Sequence, residues 1–91
     1  MPYELPLPEP FGSQGWKVKI FDNEPPDDPH ATVIQKTRKW RFALREQRFM
    51  DDDPPPREVP KDVVTTMCTN IQELVRQWDL IHPEQPVYTK G

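Results

Sequence analysis

The stretch at residues 31–44 reads Ala-Thr-Val-Ile-Gln-Lys-Thr-Arg-Lys-Trp-Arg-Phe-Ala-Leu and decides the fold. In its second half the apolar residues Trp40, Phe42 and Leu44 occupy every second position, which is the side-chain period of a strand with one buried face. Its first half is rich in β-branched residues, and the short polar run at residues 36–38 is typical of a hairpin turn. The stretch therefore predicts two antiparallel strands joined by a tight turn.

Two further segments extend the predicted sheet. Residues 16–20 repeat the alternation, with three apolar side chains separated by Lys17 and Lys19, and they predict the first strand. Residues 48–50 form either a short fourth strand or the end of a longer third one. An acidic, proline-containing loop at residues 22–29 stops the first strand, because proline cannot continue a ladder of hydrogen bonds, and it leads into His30.

The C-terminal third carries a helical pattern. Apolar residues recur there at steps of three and four, and they are Val63, Val64, Met67, Cys68, Ile71, Leu74, Val75, Trp78 and Ile81. This spacing predicts one long helix that begins at Pro60 and ends at His82, since the residue before Pro83 is disfavoured in a helix. The predicted fold class is α+β, with a three- to four-stranded antiparallel sheet packed on one long C-terminal helix in the order β-β-β-α.

Length and composition suggest a single small domain. The chain has 91 residues, of which 13 are proline. We expect a Pro-rich arm at residues 1–14 with no regular element, an α+β domain at 15–82 and a tail at 83–91. The apolar side chains of the arm either stay in a disordered leader or pack on the domain or a partner.

Cofactor chemistry and membrane insertion find no support in the sequence. A lone Cys68 cannot form an intramolecular disulfide, and no Cys and His pair stands at zinc-ligand spacing. The N-terminus has acids and prolines where a signal peptide has bases and an apolar run, and no apolar stretch is long enough to cross a bilayer. We therefore expect a cytoplasmic protein without metal or cofactor.

The distribution of charge gives the first functional hypothesis. The net charge is −3, yet bases concentrate on the predicted strands and at the hairpin tip, and the candidate binding residues are Lys17, Lys19, Lys36, Arg38, Lys39 and Arg41. Alternation places four of them on the sheet face turned away from the helix, which we call the open face: Lys17, Lys19, Lys39 and Arg41. Such a face suits an acidic protein or nucleic acid. The alternative is that outer strand positions are charged only to prevent aggregation, and the acidic run at residues 51–53 could fold back over the bases.

Two other hypotheses compete with a non-enzymatic binding or regulatory module. His30 is the one weak catalytic candidate, as acid or base of a ribonuclease-like toxin in which Arg41 or Arg45 holds phosphate. His82 is explained by the helix C-terminus, and nothing in the sequence brings it near His30. Cys68 is expected to be a core residue. A homodimer formed through one margin of the helix is the third hypothesis.

The order of these features resembles a family of short bacterial proteins, the domain of unknown function numbered four-one-six-zero. The matching residues are a glycine-led strand at 15–21, Asn23-Glu24, the segment Pro29-His30-Ala31-Thr32-Val33, and Leu74-Val75 followed by Trp78. The likeness covers about residues 15 to 81. It implies a bacterial or phage origin and an association with toxin-antitoxin pairs. Thr32 stands where the family has its second histidine, so the resemblance carries over His30 alone as a site position.

Overall fold

Five antiparallel strands lie side by side in chain order in a computed structural model that describes residues 2–22, 28–52 and 54–87. The strands are β1 (Tyr3–Leu5), β2 (Trp16–Ile20), β3 (His30–Gln35), β4 (Arg38–Ala43) and β5 (Arg48–Phe49). A short 3-10 helix (Pro56–Glu58) leads to α1 (Lys61–Thr69) and α2 (Ile71–Ile81). The predicted α+β class with an antiparallel sheet and a helical layer is confirmed, and the sheet has one or two more strands than expected.

The register of the three central strands fixes which side chains share a face. Val18 lies opposite Val33, which lies opposite Trp40. All three are fully buried, so this face packs against the helices. Because neighbouring residues of a strand point to opposite sides, the register also settles β3, where the sequence left both faces plausible: Ala31 and Val33 face the core.

The first strand corrects the expectation that the N-terminal arm has no regular element. Tyr3, Glu4 and Leu5 pair with β2 along its outer edge, and Leu5 is buried in the core. The strand is short because Pro2 and Pro6 flank it, and proline at the ends of an edge strand removes no hydrogen bond from the ladder. Val87, in the expected tail, is also fully buried, so both ends of the described chain contribute to one core.

The expected single helix is interrupted at Asn70, which is the second correction. The Asn70 backbone, with φ −106° and ψ 24°, leaves the helical region. Its N–H still donates to the carbonyls of Thr66 and Met67, and the Leu74 N–H donates to the Asn70 carbonyl. The helix is therefore interrupted at Asn70 while these backbone groups stay hydrogen-bonded.

The apolar face of the two helices is narrower than the sequence suggested. Four helical residues are buried against the sheet: Val63, Met67, Leu74 and Trp78. At 3.6 residues per turn, Val63 and Met67 lie about 40° apart on α1, and Cys68 lies about 120° from the midpoint between them. Cys68 is accordingly exposed, so the expectation that it is a core residue is wrong. Val64 and Val75, at the same margin, are half-buried.

Some expectations fall on residues that the structure does not describe. They concern residues 23–27 of the acidic loop, Asp53 of the acidic run, and the tail from residue 88. Within the described ranges, neither helix has the length and apolar character needed to span a membrane.

Candidate functional site

The open face presents four cations at the corners of a rectangle. Lys17 and Lys39 lie on either side of Ile34 across β2, β3 and β4, and the next row of the same face places Thr32 between Lys19 and Arg41. Strands are about 4.8 Å apart and residues i and i+2 about 6.7 Å apart, so the rectangle of Cα positions measures about 10 by 7 Å. The expected placement of these four side chains on one face is confirmed.

Two of these cations are exposed and two are paired. Lys17 and Lys39 are exposed and have no ion-pair partner within residues 2–22, 28–52 and 54–87. Lys19 Nζ lies 3.8 Å from Glu4 Oε1 on β1, a long and partly exposed pair that contributes little. The open face of the described residues is therefore positive, although the whole chain is negative.

Arg41 binds both oxygens of the Asp51 carboxylate. Its Nε donates to Asp51 Oδ2 at 2.9 Å and its Nη2 donates to Oδ1 at 2.7 Å, the parallel geometry in which guanidinium binds carboxylate best. These hydrogen bonds hold the pKa of the Asp51 carboxyl below its ordinary value of 3.8. The first acid of the run at residues 51–53 thus folds back onto the bases, which is the alternative that the sequence left open.

A cleft of about 410 Å³ opens at the Arg41 end of the open face. Its lining combines cationic, polar and acidic groups with one aromatic ring: Phe21, Asp22, His30, Thr32, Lys39, Arg41 and Asp51. The mixture of donors and cations suits an oxyanion, and the half-buried Phe21 ring adds an apolar wall. Thr32 and Phe21 were not predicted as site residues. The register places Thr32 beside Arg41, and a single sequence carries no direct sign of that pairing.

His30 forms part of this cleft while it is almost fully buried. It is 1% exposed, and its Nδ1 lies 2.8 Å from the Asp28 carbonyl oxygen. A carbonyl oxygen only accepts, so Nδ1 donates this hydrogen bond. The expectation that the acidic loop delivers His30 to the start of a strand is confirmed, because His30 is the first residue of β3.

The structure places the rings of both histidines next to the indole of Trp78, a proximity that nothing in the sequence indicates. The His30 ring centroid lies 5.6 Å from that of Trp78, and the His82 centroid lies 4.1 Å from it. His82 ends α2, as predicted, and its Nε2 donates to the Phe21 carbonyl at 2.8 Å. His82 therefore ties the end of α2 to the chain that borders the cleft.

The remaining candidate bases lie away from the cleft. Arg38 shares the helix-side face with Trp40, since its guanidinium carbon lies 5.1 Å from that ring and its Nη1 pairs with Glu58. It is adjacent to the hairpin turn but is not part of the open face. Lys36 is exposed in that turn with φ 58°. Arg45 donates from Nε to the Val87 carbonyl at 2.7 Å, which leaves Arg41 as the arginine that shares the cleft with His30.

Among the residues that the structure describes, no three His, Cys, Asp or Glu side chains come together around a common point. Comparison with known proteins adds no functional information: no family model, no curated protein and no solved structure matches the chain. The resemblance to the bacterial domain of unknown function stays a hypothesis, and the function has to be argued from the geometry of the open face.

Proposed function

We propose that this protein is a non-enzymatic binding module that takes an acidic segment of a protein partner on the open face of its sheet. The observation that carries the proposal is the rectangle of Lys17, Lys19, Lys39 and Arg41 on the sheet face opposite the buried one. Opposite charge steers association and fixes the orientation of the partner.

The spacing of the rectangle suits an extended peptide. Side chains of an extended segment that point the same way repeat at about 6.7 Å, and the cations of one strand repeat at the same interval. Carboxylates at every second position of a partner segment would therefore meet Lys17 and Lys19, or Lys39 and Arg41, in register. Ile34, half-buried between Lys17 and Lys39, offers an apolar contact to the aliphatic carbons of the partner side chains that point toward the sheet.

An acidic peptide fits this face better than nucleic acid does. The net charge of −3 repels both classes of partner, but it repels duplex DNA more strongly, because a duplex carries one negative charge per about 1.7 Å and an extended acidic peptide at most one per about 3.3 Å. Glu4 and Asp51 already reduce the positive potential next to Lys19 and Arg41. Proteins that bind single strands stack bases on exposed aromatic rings, and the aromatic ring at the cleft, Phe21, is half-buried.

The test is a titration of fluorescently labelled probes at low and high salt. The probes are an aspartate-rich hexapeptide, the same peptide with asparagine in place of aspartate, a duplex DNA and an RNA oligonucleotide. We expect the aspartate peptide to bind at micromolar protein and its affinity to fall with salt, while the asparagine peptide does not bind. Absence of salt-sensitive binding of the aspartate peptide would reject the proposal. Tighter binding of either nucleic acid would show that the open face binds that class of partner instead of an acidic peptide.

A second candidate function is favoured by one observation, the presence of His30 and Arg41 in the same cleft. In a ribonuclease-like toxin His30 Nε2 would exchange a proton with the ribose or the leaving oxygen, and Arg41 would hold the phosphate. The near-complete burial of His30 and the carboxylate already on Arg41 make this the weaker candidate. It predicts growth arrest on expression that His30→Ala relieves, and a harmless wild-type protein excludes it.

A further inference from the structure

Besides Glu4 at Lys19, the open face already holds the carboxylate of Asp51, which Arg41 binds. The pair is partly exposed to solvent, since the side chains of Arg41 and Asp51 are 37% and 28% exposed. An ion pair at this exposure contributes little to folding. A bidentate contact of this kind is nevertheless specific in geometry, because only a planar group with two oxygens satisfies both guanidinium donors.

The residues around the pair are typical of a carboxylate-binding site and not of a contact that only fixes the position of the coil after β5. Thr32 and Lys39 line the same cleft and add a hydroxyl and an ammonium beside Arg41. Arg41 also lies at one corner of the cationic rectangle, so a peptide that follows β4 past Lys39 reaches it next. Asp51 belongs to a coil that follows β5, and a coil can move away from the sheet without breaking a strand.

We infer that Arg41 is a carboxylate-binding subsite whose internal occupant is Asp51, and that an aspartate or glutamate of an acidic protein partner displaces it. The inference rests on the proposed function and specifies how the open face is regulated. In the free protein Asp51 competes with the partner and weakens its binding. Substitution of Asp51 therefore strengthens binding, although it removes a native contact.

The experiment compares Asp51→Asn with Asp52→Asn in the titration of the aspartate hexapeptide. Both variants remove one negative charge, and Asp52 is an exposed neighbour in the same coil, so Asp52→Asn controls for net charge. We expect Asp51→Asn to bind the peptide about two- to five-fold more tightly than Asp52→Asn, the ratio that corresponds to one exposed ion pair. Equal affinity of the two variants overturns the inference and leaves the proposed function standing.

A double-substitution cycle separates competition from a general structural effect. Arg41→Gln removes the cation that Asp51 occupies, so we expect Asp51→Asn to give no gain in affinity in that background. A gain that persists in Arg41→Gln contradicts the inference, because the competing carboxylate would then act elsewhere.

The wild-type protein supplies an independent measurement if Asp51→Asn folds poorly. Carbon-13 labelling of the aspartate carboxyls allows the Asp51 signal to be followed as the peptide is added. Displacement from Arg41 shifts this signal toward that of a solvated carboxylate, and an unmoved signal at saturation overturns the inference.

If no form of the protein binds the aspartate peptide, the proposed function fails and the inference fails with it. Tighter binding of the RNA oligonucleotide than of the peptide by Asp51→Asn also rejects the peptide partner.

Discussion

Reversal of one charge on the open face is expected to weaken binding of an acidic peptide in a way that depends on position. Lys39→Glu is the informative substitution, because Lys39 is exposed, lies on β4 and borders the cleft. Its register partner Ile34 is apolar, so the substitution removes no ion pair from the described residues. We therefore expect the free energy of unfolding to change by less than about 0.5 kcal/mol, as for other surface positions.

The size of the effect on binding follows from the geometry of the rectangle. An exposed ion pair contributes about 0.2 to 1 kcal/mol, and reversal removes one attraction and adds a repulsion of similar size. The expected loss is about 0.4 to 2 kcal/mol, or about two- to thirty-fold in dissociation constant. The neighbouring cations lie about 7 to 10 Å away, which is close to the screening length at physiological salt, about 8 Å. They compensate for the reversal only in part.

Fluorescence anisotropy with the labelled aspartate hexapeptide measures this loss, and Lys61→Glu is the matched control. Lys61 is exposed at the start of α1, in the helical layer on the other side of the sheet. Both substitutions change the net charge by the same amount. We expect Lys61→Glu to leave the affinity nearly unchanged. An equal loss in both variants would show that the peptide responds to net charge alone, and no loss in either would refute the role of the open face.

Three further predictions concern single residues. Because Arg41 lowers the pKa of Asp51, the ionised carboxylate stabilises the folded state above the ordinary carboxyl pKa, and this stabilisation is lost as the pH falls through the folded-state pKa. Chemical denaturation near neutral pH should therefore show the wild type to be more stable than Asp51→Asn by up to about 1 kcal/mol. The difference should vanish toward about pH 2. The exposed Cys68 thiol should react with a thiol reagent in the native protein about as fast as in the denatured one, and protection would contradict its placement. Gly15→Ala should destabilise the fold by about 1 to 2 kcal/mol because Gly15 has φ +88°, whereas Gly12→Ala, at a residue without a positive φ, should cost less in the same denaturation assay.

Alternation in the sequence was sufficient to place the open face. A strand with one buried side has a strict period of two, so Trp40 and Phe42 on the core side require Arg41 on the other. The same period places Arg38 with Trp40, and the structure confirms that consequence. Arg38 was expected at the hairpin tip because it is close to the turn in the chain, but its position two residues before Trp40 decides which face it shares.

Other features depend on contacts that no local pattern contains. Strand β1 has three residues between prolines, too few for a periodic signal, and it exists because the edge of β2 is available for pairing. The contact between His82 and the Phe21 carbonyl joins residues 61 positions apart. The proximity of both histidine rings to Trp78 follows from the packing of α2 on the sheet, which alternation along either element does not reveal.

The cleft could be predicted from the sequence only in part. The sequence predicts His30, Lys39 and Arg41 as separate candidates, and the register of β3 and β4 brings them into one site. The carboxylate that occupies Arg41 comes from a run of acids whose position relative to the sheet is set by the turn between β4 and β5. A turn of this length has several available directions, so at the level of the sequence the pairing of Arg41 with Asp51 is one alternative among several.

The most direct test of a partner-binding open face is a nuclear magnetic resonance titration of the isotopically labelled protein with the aspartate hexapeptide. We expect the largest changes in amide chemical shift at Lys17, Thr32, Lys39 and Arg41, with small changes along α1 and α2. Changes concentrated on the helices, with the central strands unaffected at saturating peptide, would contradict the proposed function.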